Sequence, residues 1–291
     1  MNTTKPSLDG RIALVTGANS GLGKAVATEL ARRGAGLVMV ARNAERGAAA
    51  QQEIRERTAN EAIHLLVADL ASQAAIRRLA EAFHARFERL DILVNNAGTA
   101  FPERRLSPDG LEMALAVNHL APFLLTNLLL DRLKASAPAR IVNVGTRIDT
   151  AMDLDDLQWE RRRYRMMGTY GQSKLGNIHF TYELARRLEG TGVTVNCVFP
   201  GVFSSNLGRT DGAQGLFWRL VGVLLGWAIP SPATAAERVL YMATAPEMAE
   251  VSGRYAGKRG QPISSPAQTR DPAINRRVWE LSARLTDLDE D

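Results

Sequence analysis

The tightest constraint on this chain is an apolar run that ends in clustered glycines and passes at once into a helical stretch. Residues 11–16, Arg-Ile-Ala-Leu-Val-Thr, lead into Gly17-Ala18-Asn19-Ser20-Gly21-Leu22-Gly23, and residues 24–33 read as a helix. A short run of consecutive apolar residues suits a strand buried on both faces, the condition of a parallel sheet. Glycines permit a tight turn and a close backbone approach to phosphate, and a helix N-terminus offers free N–H groups. Strand, glycine loop and helix in this order predict a dinucleotide site. The spacing is G-x-x-x-G-x-G, not the commoner G-x-G-x-x-G.

The alternation continues along the chain. Further strands are predicted at Gly36–Ala41, 63–68, 91–94, 140–144 and 193–199, with a short last one at 253–256. Helices are predicted at Ala44–Thr58, 72–89, 111–117, 118–134, through residue 188 after Tyr170, and at Pro232–Thr244. Strands alternating with helices predict an α/β fold with right-handed crossovers. The expectation is a doubly wound, Rossmann-type fold whose seven-stranded parallel sheet carries helices on both faces. No repeat or linker marks a boundary, so residues 1–291 read as one domain with a core at 11–256, an apolar segment within 202–232 and a C-terminal extension at 257–291. Residues 147–168 are polar and charged and read as a surface excursion.

Composition narrows the function classes. At 45% hydrophobic the chain can bury a large core. Cys197 is the single cysteine, which fits a reducing compartment and predicts a cytoplasmic protein. Residues 1–10 are polar, so no secretory leader is expected there. The most apolar run, 216–229, is interrupted by Arg219 and is too short to span a bilayer. The net charge of +5 raises the question of nucleic acid, and Arg161-Arg162-Arg163-Tyr164-Arg165 is the candidate patch. Asp153, Asp155, Asp156 and Glu160 precede it, which favours a self-paired surface segment and no nucleic-acid partner. His64, His84 and His179 have no ligand spacing, and no metal is predicted.

Two sites of chemistry stand out. Tyr170 and Lys174 are four residues apart, on one helix face, where a cation favours phenolate and lowers the phenol's pKa. Such a phenol can exchange a proton with a substrate oxygen. At the end of the second strand, where an NAD-preferring site places a carboxylate, the residues are Ala41 and Arg42. A guanidinium there welcomes a 2′-phosphate, so NADP(H) is the preferred cofactor and NAD(H) the second candidate.

With Thr16 to Gly23, Asn95-Asn96-Ala97-Gly98, Asn118, Tyr170-x-x-x-Lys174 and Pro200-Gly201 in order, the chain resembles the classical short-chain dehydrogenase/reductases. Asp155-Asp156-Leu157-Gln158 and Glu183-Leu184-Ala185-Arg186-Arg187-Leu188 resemble the retinol-dehydrogenase-like and protochlorophyllide-reductase-like branch. The resemblance implies an NADP(H)-dependent oxidoreductase moving a hydride between nicotinamide and a lipophilic carbonyl or alcohol. It implies Tyr170 as acid/base, Lys174 on the nicotinamide ribose, and Asn118 holding a relay water through its backbone. It implies Gly17, Asn19, Ser20, Gly21, Leu22 and Gly23 around the pyrophosphate and Asp69 and Leu70 near adenine. Asn95, Asn96, Ala97 and Gly98 would form the wall under the cofactor, with Pro200, Gly201 and Ser205 near the carboxamide. The family usually closes its fifth strand with two serines; here stand Gly145 and Thr146, and Thr146 keeps a hydroxyl for the substrate oxygen. That departure leaves a dinucleotide-binding protein with weak or no catalysis, a sensor or assembly partner, as the alternative.

The remaining features have plainer readings. His119 reads as a helix residue with a satisfied ring, Cys197 as a core residue, and Lys24 as either a phosphate neighbour or a solvated residue. Residues 216–229, with Phe217, Trp218 and Trp227, read first as a lid over an apolar pocket, with a subunit interface or membrane-surface contact as competitors. A homodimer or homotetramer follows family habit.

Overall fold

Side-chain alternation along the first strand sets up both layers. β1 (Ile12–Thr16) sends Ala13 and Val15 into one apolar cluster and Leu14 into the other, as a period of two requires. The computed structural model describes residues 6–147, 150–201 and 231–288. Seven parallel strands form one sheet: β1, β2 (Gly36–Ala41), β3 (Ile63–Val67), β4 (Ile92–Asn95), β5 (Ala139–Val144), β6 (Val193–Val198) and β7 (Arg254–Ala256), in the order β3-β2-β1-β4-β5-β6-β7. One face is covered by helices Gly21–Arg32, Ala44–Thr58 and Pro232–Thr244, through residues such as Leu30, Ile54 and Val239. The other is covered by Gln73–His84, Ala121–Leu128 and Met166–Arg187, through Phe83, Phe123 and Phe180. The doubly wound expectation is met. Strand order reverses between β1 and β4, the crevice where open α/β sheets bind ligands.

The region expected as two helices, 111–117 and 118–134, is divided differently. A π-helical turn, Ala116–Leu120, is followed by Ala121–Leu128 and Leu130–Ala135. Pro122 is the cause: it has no N–H to give the carbonyl of Asn118. Asn177 supplies the missing donor, its Nδ2 reaching Asn118 O at 2.8 Å. The helix expected over 72–89 stops at His84.

The excursion is the self-paired surface segment expected, with Arg161, Arg163 and Arg165 exposed and Arg162 paired with Asp153, but it also has buried anchors. Within it Met152 and Trp159 are buried, and the Asp156 carboxylate accepts from Glu160 N at 2.7 Å and faces Arg162 Nε at 3.2 Å. The Arg162 guanidinium lies 3.9 Å over the Trp159 ring. The extension contains a helix, Pro272–Leu285, capped by Asp271, whose side chain accepts from Ala273 N at 2.8 Å. Its Trp279 packs edge-on against Phe123 at 4.9 Å and under the Arg187 guanidinium at 4.1 Å.

Two buried histidines fasten this helix to its neighbours. His119 Nε2 lies 2.8 Å from Ser282 Oγ, and His179 Nδ1 lies 2.6 Å from Asn275 Oδ1. Burial, partly opposed by hydrogen bonding, pushes both imidazoles down from 6.5 to about 4. Between those values the unfolded chain binds more protons than the folded one, so stability rises with pH and is lost as pH falls from 6.5 to about 4. A few kcal/mol are at stake, about 3 per ring at most. The melting temperature is expected to drop by roughly 10 °C over that window. A His119→Asn/His179→Asn variant should show a flatter profile in thermal melts, and a parallel profile would assign the acid sensitivity to other groups.

Candidate active site

The glycine loop is held by β4. Thr16 Oγ1 accepts from Asn96 N at 2.9 Å and Ala97 N at 3.0 Å, and Asn96 Nδ2 donates to Thr16 O at 2.8 Å. Gly17 and Gly21 have φ of +67° and +54°, the left-handed region that favours glycine. Gly23 is required for space: a Cβ there would lie 2.3 Å from Gly17 O. Ser20 enters helix Gly21–Arg32 in extended conformation and makes no side-chain cap, so the first N–H groups face the crevice.

A cavity of about 1200 Å³ runs from this loop across the ends of β1, β4 and β5. Gly17, Asn19, Ser20, Gly21, Leu22 and Gly23 line it, with Arg42, Asp69 and Leu70 at one end. Ala97, Gly98, Thr146, Tyr170, Lys174, Pro200 and Gly201 line the other. Two expected residues are not on its wall. Asn95 turns into the helix layer, where Nδ2 donates to Thr126 Oγ1 and Asn143 Oδ1; Asn96, one residue on, lines the cavity instead. Asn118 is fully buried behind the wall, bonding Thr99 N at 2.7 Å and Ser173 Oγ at 2.9 Å, and its carbonyl is engaged by Asn177. Lys24 pairs with Glu53. Ser205 and the segment 216–229 lie outside the described residues.

The catalytic end departs from expectation in its electrostatics. Burial raises the Tyr170 phenol above its ordinary value, and a hydrogen bond with the Thr146 side chain draws it back. Lys174 is not the group that lowers it here, because its Nζ donates to Val144 O at 2.9 Å and burial brings the ammonium down to about 8. Tyr170 is therefore held protonated beside Thr146. Thr146 is itself fixed, its carbonyl accepting from the Tyr255 hydroxyl at 2.8 Å. Gly145 has a local reason: a Cβ would lie 2.6 Å from Cys197 Sγ on β6. Beyond Tyr170 the cavity opens between Phe101, Leu106, Met113, Val117 and Met167, none of which was singled out in the sequence.

One crevice thus brings together a glycine cradle, an uncapped helix N-terminus and a Thr–Tyr–Lys group, an arrangement suited to dinucleotide-dependent redox chemistry. The chain belongs to the short chain dehydrogenase family, whose sequence profile matches residues 11–214. It falls in the retinol-dehydrogenase-like branch: it is 43% identical to human (Homo sapiens) retinol dehydrogenase 13 over 98% of this chain and 87% of that protein. It is 40% identical to Mus musculus retinol dehydrogenase 12 over 97% and 88% of the two chains. Among solved structures, an uncharacterized protein from Mycobacterium Paratuberculosis superposes with a TM-score of 0.77, 31% identity and coverage of 97% and 96%. The Pseudomonas aeruginosa RhlG/NADP active-site complex gives a TM-score of 0.67 at 31% identity, covering 87% of this chain and 96% of that one.

Proposed function

We propose that this protein is an NADP(H)-dependent oxidoreductase acting on lipophilic carbonyls or alcohols, with Tyr170 as its acid/base. The observation that carries this reading is one cavity holding Arg42 at one end and the Tyr170–Thr146 pair at the other. The residues fit a dinucleotide: Gly23 lets the loop pack tightly on Gly17, Gly21 has nothing within 4 Å of where a Cβ would stand, and the uncapped helix N-terminus lines the cavity. When bound, the nicotinamide supplies or accepts the hydride. This chain's residues bind, orient and move the proton. Arg42 pairs with the 2′-phosphate. Lys174, anchored on Val144 O, would hold the ribose with its ammonium. Thr146 and Tyr170 both point hydroxyls at the substrate oxygen, and in the reducing direction Tyr170 gives its proton to that oxygen. Burial keeps the phenol protonated and the Thr146 hydrogen bond opposes that rise, so Thr146 is the neighbour that eases proton release.

The test is NADPH oxidation against a panel of lipophilic aldehydes and ketones, with NADH in parallel. NADPH is expected to be preferred, and Arg42→Asp to reverse the preference through a rise in NADPH KM of at least about tenfold. Equal use of both cofactors by the parent protein would remove Arg42 from this role. Tight NADPH binding without turnover on any compound would favour the non-catalytic alternative.

A further inference from the structure

The substrate end of the cavity carries two cations that the cofactor does not need. Arg105 lies in the loop after β4 and Arg147 directly after Thr146 at the end of β5. Arg42, the 2′-phosphate candidate, follows β2. β2 and β5 are separated by β1 and β4, so Arg147 sits three strand spacings away, about 14 Å. Among the described residues the one acidic side chain on the cavity wall, Asp69, follows β3 at the Arg42 end. Neither Arg105 nor Arg147 forms an ion pair among the described residues. Both are exposed, yet each has a support. The Arg105 guanidinium lies 5.0 Å over the Phe101 ring, and Arg147 is near enough to Tyr255 to oppose in part the rise that burial imposes on its phenol.

The same mouth is apolar. Leu106 and Met167, 50% and 58% exposed, are two of the three large hydrophobic residues exposed among the described residues, and both line it. A mouth that joins exposed apolar side chains to unpaired guanidiniums matches a ligand with a hydrocarbon body and an anionic group. Guanidinium is the donor best shaped for a carboxylate.

Resting on the function proposed above, we propose that the substrate is a lipophilic carbonyl or alcohol bearing a carboxylate, which Arg105 and Arg147 hold at the mouth while Tyr170 faces the reacting oxygen. The test compares decanal with 10-oxodecanoate, which share a reacting aldehyde and chain length and differ in the far end. The oxo-acid is expected to show a kcat/KM about tenfold higher, a preference that shrinks as salt is raised. In an Arg105→Gln/Arg147→Gln variant the ratio between the two compounds should fall to near one. A ratio of one or less in the parent protein would overturn the proposal while leaving the reductase reading intact. If neither compound turns over, calorimetry of decanoate and decanol binding to the NADP-loaded protein decides. Tighter decanoate binding, lost in the double variant, supports the anion site, and equal binding of the two overturns it.

Discussion

Tyr170→Phe is expected to lower turnover by about 10²- to 10⁴-fold, the range that positioned proton transfer contributes. The substitution keeps the ring and removes one oxygen. That oxygen is the group that Thr146 bonds and that burial keeps protonated. Among the described residues nothing else on the cavity wall offers a proton in the same place: Lys174 is turned to Val144 O, and Thr146 is a much weaker acid. Cofactor affinity should hardly change, because the glycine loop and Arg42 lie at the other end of the cavity. Stopped-flow NADPH oxidation with a fluorescence titration of NADPH separates the two effects. A variant within tenfold of the parent rate would move the acid to another group.

Gly23→Ala carries the second large effect, on binding rather than chemistry. The added carbon would sit 2.3 Å from Gly17 O, 2.4 Å from Asn96 Nδ2 and 2.9 Å from Gly17 C. Two of those atoms are backbone, and the third holds the loop to β4 through Thr16 O, so none can yield without unfastening the cradle. Overpacking of this kind costs about 3 kcal/mol, or about 100-fold in NADPH Kd if the loop bears the displacement. Gly21→Ala is the instructive control. No atom lies within 4 Å of a Cβ at Gly21, yet its φ is +54°. It should lose only the roughly 1 kcal/mol that a side chain costs in the left-handed region. Equal losses in the two variants would mean that conformation, not space, governs both positions.

The parts of this molecule that were legible from sequence are those set by local pattern. β1, the glycine loop and its helix follow from adjacent residues, and the alternation of strands with helices leaves few topologies open. The C-terminal helix was equally local: Asp271-Pro272 is a start signal and Ile274 and Val278 are one turn apart, but the segment lay beyond the last motif and was read only as an extension. Asn95 and Asn96 show a finer limit. The motif gives both, and only the register of β4 decides that Asn95 points into the helix layer and Asn96 at the loop. Residues 150–165 pair their charges at the surface as the sequence suggests, whereas their anchors depend on partners met only in three dimensions, such as Trp159 beneath Arg162 and Tyr164 bonded to Glu112. Arg105 and Arg147 escaped notice for the same reason, as isolated charges in loops that the sheet alone brings to one mouth.

The close approach of Gly145 to Cys197 couples the two positions. A serine at 145, the residue expected from the family resemblance, would set its Cβ 2.6 Å from a fully buried sulfur on the neighbouring strand. The two positions are therefore not free to drift separately. A side chain at 145 needs the Cys197 sulfur to give way, so Gly145→Ser should be tolerated better beside Cys197→Ala than alone. A recombinant library that exchanges these two strands as separate blocks between relatives should recover far fewer folded clones than one that keeps them together.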